Sequence, residues 1–126
     1  MTRKESEAFR DVSGVRVIEI NGVGRDIVVS GNLVGDRYMI EAAAVLPKEY
    51  VQQCVEKLMG LDFEKVRQLT LAFRENGVVI SCREAGLRTS DKQVDVESFV
   101  EISKRCCSAV EYFVREVLEY CDVQTD

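Results

Sequence analysis

The stretch "DVESFVEISKRCCSAVEYFVREVLEY", residues 95–120, carries one uninterrupted pattern and limits what the rest of the chain can be. Phe99, Ile102, Cys106, Val110, Phe113, Val117 and Cys121 recur at three- and four-residue steps, the spacing that lines one face of an α-helix. Val100, Cys107, Val114 and Leu118 widen that stripe, while Glu97, Glu101, Lys104, Arg105, Ser108, Glu111, Arg115 and Glu119 fill the opposite side. Glu101–Arg105 and Glu111–Arg115 are favourable i,i+4 pairs, and Asp95 and Glu97 suit the positive end of the helix dipole. At roughly 1.5 Å per residue such a helix is about 39 Å long. A compact domain of this size is only about 35 Å wide. The stripe therefore needs a broad apolar platform, and its excess over one sheet predicts a self-complementary contact between two copies. Val110, Phe113, Val114, Val117 and Leu118 are the residues expected at that homodimer contact.

The platform is legible upstream. Residues 15–20, "VRVIEI", alternate as a strand does, and "NGVGRD" then interrupts them. Gly22-x-Gly24 lacks the third glycine and the following helix of a phosphate loop, so it reads as a turn. Two antiparallel strands are expected near 26–34 and 37–45, among the turn formers Gly31, Asn32, Gly35 and Asp36. Pro47 suits the first position of a helix, where its missing N–H is no loss. Tyr50, Val51, Cys54, Val55, Leu58 and Met59 then recur at helical spacing up to Gly60, a plausible stop. "LDFEKVRQ" is read as a short turn leading into a strand. In "LTLAFRENGVVISC", Asn76-Gly77 is the preferred pair for a two-residue hairpin. Folding about it sets Phe73 opposite Ile80 and Leu71 opposite Cys82. The expected fold is α+β: one domain over residues 1–126, with an antiparallel sheet of about five strands packed against a central helix and a long C-terminal helix.

Composition narrows the chemistry. The chain has no histidine, which removes Cys–His and Ser–His nucleophile pairs and imidazole-bound zinc. No Cys-x-x-Cys spacing occurs, and Cys54, Cys106 and Cys121 lie on apolar stripes where cysteine packs as a small hydrophobe. Five cysteines, two of them adjacent at 106 and 107, make a poor disulfide framework. "MTRKESEAFRD" is too charged for a signal peptide, and no apolar run approaches the roughly 18 residues of a membrane span. Reduced thiols in the cytoplasm, away from any membrane, are the expectation. Glu19, Glu41 and Glu84 fall on expected strands, but nothing in the sequence brings two of them together for acid–base work. The chain is accordingly read as non-catalytic, with no cofactor and no metal.

Charge is unevenly spread. Residues 94–126 carry eight acidic and three basic side chains, which accounts for the whole net charge of −5. No basic stripe is present for nucleic acid, so a basic or amphipathic polypeptide is the better partner. Glu111, Glu116 and Glu119 are the residues expected on an acidic partner surface. A regulatory or immunity-type protein that binds a folded basic partner through this surface is the alternative reading.

"FRENGVVIS" (73–81) followed by "VESFVEISKRCCSAVEYFVREVLEY" resembles the superfamily of class I type III secretion chaperones and bacterial YbjN-type proteins. The likeness is one of pattern, over about residues 45–120. It implies a small, acidic, cytoplasmic, dimeric α+β protein that is chaperone-like and holds a segment of a polypeptide partner. Members of that superfamily begin with a full amphipathic helix, whereas "MTRKESEAFRDVSG" offers at most two or three turns.

Overall fold

Alternating strands and two amphipathic segments leave one economical arrangement, a sheet with its helices on one side. The computed structural model shows it, describing residues 13–20, 22–60, 69–91 and 93–125, with backbone alone for Ser13 and for 120–125. The elements are β1 (Ser13–Ile20), β2 (Val23–Val34), β3 (Arg37–Pro47), a 3₁₀ turn (Lys48–Tyr50), α1 (Val51–Gly60), β4 (Leu69–Arg74), β5 (Gly77–Leu87) and α2 (Val96–Thr125). The five strands form one antiparallel sheet in the order β1-β2-β3-β5-β4. The expected α+β architecture is therefore present. The amino-terminal turns and the "LDFEKVRQ" turn lie outside the described residues.

Period-two alternation decides which way the sheet faces. On β3, Tyr38, Ile40, Ala42, Ala44 and Leu46 are buried; on β5, Val78, Ile80 and Cys82 are. Ile18, Ile20 and Ile27 continue that face into β1 and β2. Helix α2 packs across it, touching β1, β2, β3 and β5, and α1 lies against the flank of α2. Asp95 caps α2, accepting hydrogen bonds from the Glu97 N–H (3.2 Å) and the Ser98 hydroxyl (2.9 Å).

Two local expectations shift. Pro47 is the last residue of β3 and the N-cap of the 3₁₀ turn, one step before the helical position assigned to it. In the β4–β5 hairpin, Leu71 pairs with Ile80, Phe73 with Val78 and Arg74 with Gly77, so the turn residues are Glu75 and Asn76. The reason is tertiary. β5 is zipped to β3 along its entire length, and the Pro47–Gly77 pair at the end of that ladder draws Gly77 out of the turn. The displacement is an even number of positions in the pairing, so the apolar residues keep their face.

Candidate functional site: the uncovered face of the sheet

The five residues expected at a homodimer contact, Val110, Phe113, Val114, Val117 and Leu118, are all buried within the single chain. They are core, and in the folded chain they offer no surface to a second copy. The apolar stripe from Phe99 to Leu118 runs only about 29 Å at roughly 1.5 Å per residue, and eleven residues at about 3.4 Å give β3 and β5 some 37 Å, enough to cover it. Of the flanks that suggested an excess of apolar surface, Cys107, Val114 and Leu118 are buried where α1 and β1 close on the helix, and Val100 is left 42% exposed.

The acidic residues of α2 divide. Glu111 meets Arg16 of β1 at 3.3 Å and Arg115 at 3.7 Å, and Glu116 meets Lys57 of α1 at 3.3 Å. These two carboxylates tie the helix to its neighbours. Glu119 is exposed. Glu19 and Glu41 lie on the sheet face away from the helices, Glu41 paired with Arg83, while Glu84 points to the helical side and pairs with Arg105. The three strand carboxylates are thus separated, and among the described residues no group of three or more His, Cys, Asp or Glu side chains is placed to hold a metal ion.

Cys54, Cys82, Cys106 and Cys107 are buried. The Cys106 thiol is hydrogen-bonded to Cys82, which together with burial raises its pKa far above the ordinary thiol value. Tyr38 is also pushed up, first by burial and then by the charges of Asp95 and Glu84. Its ring stands 5.7 Å from that of Phe99, tilted by 48°.

What remains is the other face of the sheet. The strand registers place its outward residues in rows: Val15, Val28, Ala43, Ser81 and Thr70 run across the five strands, and Val45, Val79 and Ala72 lie beside them. Among the described residues no helix covers this side. Val15, Val17, Val28 and Val45 are 60%, 64%, 46% and 65% exposed. Val34, Met39 and Leu87 extend the apolar surface toward the far end, where a shallow depression is lined by Ser30, Asn32, Val34, Met39, Glu41 and Arg83. Contiguous apolar area of this kind marks an interaction surface, since single exposed residues are ordinary but rows of them are not. The sequence contains the signal in "VRVIEI", whose two outward valines make both faces of the strand apolar, a pattern more typical of strands buried on both sides.

The chain's charges are ordered on this face. Glu19 and Asp26 lie on the β1–β2 half and Arg83 and Arg74 on the β5–β4 half, with Arg37 and Glu41 on β3 between them.

No protein-family model matches the chain, and no curated protein matches it in sequence. The fold is similar to the crystal structure of YbjN from E. coli, described as a proposed transcription regulator, with a TM-score of 0.51. The two share 10% identity over 91% of this chain and 89% of that one. At that identity the likeness is one of fold, and it agrees with the YbjN-like architecture expected from the hairpin and long helix.

Proposed function

We propose that this chain is a non-catalytic protein-binding module that works through the uncovered face of its sheet. The observation that supports it is the row of outward valines, Val15, Val17, Val28 and Val45, on the side opposite the helices. Broad apolar surface with ordered charges suits polypeptide better than a small molecule, which needs a concave pocket. The ligand is therefore polypeptide. A chaperone-like protein that holds a segment of a partner, as the resemblance to secretion chaperones implies, would use the same valines.

A regulatory role exercised through protein contact fits the description of YbjN as well. Direct contact with nucleic acid fits poorly, because the net charge is −5 and the basic side chains of the face are matched by acidic ones. An acidic surface on α2 is less favoured than the sheet, since Glu111 and Glu116 are engaged inside the chain.

A photo-crosslinking residue at Val45, with a control at Lys104 on the helical side, tests the reading. Cross-links to protein at 45 and none at 104 are expected. No protein adduct at 45 would refute it.

A further inference from the structure

We infer that the polypeptide laid on the uncovered face is a second copy of this chain, the two sheets packing face to face with Glu19 of each copy opposite Arg74 of the other. This deepens the reading of the sheet face as a protein-binding surface and rests on it.

Three observations carry it. The first is shape. The face is a broad sheet surface with its exposed valines spread over β1, β2 and β3. One extended segment would cover a strip about 5 Å wide and leave most of them in water, whereas a second sheet about 10 Å away covers them together.

The second is size. Five strands spaced about 4.8 Å apart, the longest eleven or twelve residues, present a face of roughly 700 Å². Stable associations bury about 800 Å² per partner, so this face is of the right order.

The third is charge. A two-fold axis running along the strands through β3 exchanges the β1 edge of one copy with the β4 edge of the other. Glu19 and Arg74 occupy those opposite edges at the same end of the sheet, both pointing away from the helices. The axis therefore sets each Glu19 against an Arg74. It also sets Asp26 over β5 of the other copy, two positions along the strands from the level of Arg74. Acid on one half and base on the other is the arrangement an isologous contact requires, because the same patch must complement itself. On β3 the axis passes Glu41, whose charge is already matched by Arg83 within its own copy, and Arg37, which is exposed at the strand end farthest from the Glu19–Arg74 pair.

The test is a charge exchange on the full chain, read as the dimer dissociation constant by sedimentation equilibrium. Glu19→Arg and Arg74→Glu are each expected to weaken the dimer about tenfold or more, since each sets like charges opposite each other. The double variant is expected to return the constant to near the wild-type value. Both residues are exposed, so an unchanged circular dichroism spectrum checks that the variants fold. A wild-type particle of 14.2 kDa at high micromolar concentration overturns the inference, as does a dimer indifferent to the single changes or not rescued by the double one. Failure here is distinct from failure of the binding surface. A monomer that still cross-links through position 45 to a different protein keeps the surface and removes the second copy, whereas no cross-link removes both.

Discussion

Tyr38 and Gly86 face each other across the β3–β5 ladder, and the Tyr38 ring occupies the space that a side chain at position 86 would need. The ring is fully buried, lying between that glycine and Phe99 of α2. Gly86 is thus part of the core by virtue of what it lacks. Gly86→Ala is expected to lower stability by about 1–3 kcal/mol, the usual result of forcing an added methyl into filled space. Gly14→Ala, where nothing lies within 4 Å, is the control. Equal denaturation midpoints for the two variants would contradict this packing.

Gly77 is required for a different reason. A Cβ there would overlap the Leu46 carbonyl oxygen of the neighbouring strand. Gly77→Ala is expected to cost about 1–3 kcal/mol through that close approach. Gly77 and Pro47 are paired at the end of β3–β5, so the loss should appear as early amide exchange at that end of the ladder. Amide protection unchanged by the substitution would restore Gly77 to the turn.

Phe113 distinguishes core from contact. Phe113→Ala should cost about 3–5 kcal/mol, as large-to-small changes in a packed interior do. Its neighbours are within the same chain, so the loss should be independent of protein concentration. A loss that grows on dilution of the wild type would mean that the residue meets a second copy.

The four buried thiols should resist modification. Cys54, Cys82, Cys106 and Cys107 are shielded by packing, and the raised pKa of Cys106 keeps that thiol protonated. A soluble alkylating reagent should leave all four unmodified in the native protein and react with them after denaturation. Rapid native labelling of any one, located by peptide mass, would contradict its burial.

Alkali should weaken the fold in part through Tyr38. Its folded pKa lies above the ordinary value of 10.0 because burial, then Asp95 and Glu84, disfavour the phenolate. The folded chain therefore holds this proton more tightly than the unfolded one. The resulting stability is complete below the unfolded pKa, near pH 10, and is lost as pH rises through the folded value. Tyr38→Phe should flatten the fall in stability above about pH 10. An identical alkaline decline in both proteins would remove Tyr38 from the cause.

Much of this architecture can be read from residue order alone, because periodicity is a local property. The alternation of β3, the three- and four-residue steps of α1 and the stripe from Phe99 to Val117 each report which side must leave water, and the structure keeps those sides except at Met59, which stands exposed at the end of α1. Nearest-neighbour chemistry likewise places Asp95 at the start of α2 and glycine at the β1–β2 and β2–β3 turns, where Gly22 and Gly35 have φ of 81° and 63°.

Contacts between distant segments decided the rest. Whether the stripe of α2 was covered depended on α1 and β1 closing on its flanks, and no spacing within residues 95–120 contains them. The turn of the last hairpin moved by one residue because β3, thirty positions upstream of Gly77 in its own pairing, fixes where β5 ends. The uncovered face is a tertiary fact of the same kind. Val28, Ala43 and Val45 are ordinary in sequence, and they join the outward valines of β1 in one surface only when the registers of three strands align them. Hydrophobic pattern states that a side chain should be buried; which chain buries it depends on what the fold has left open.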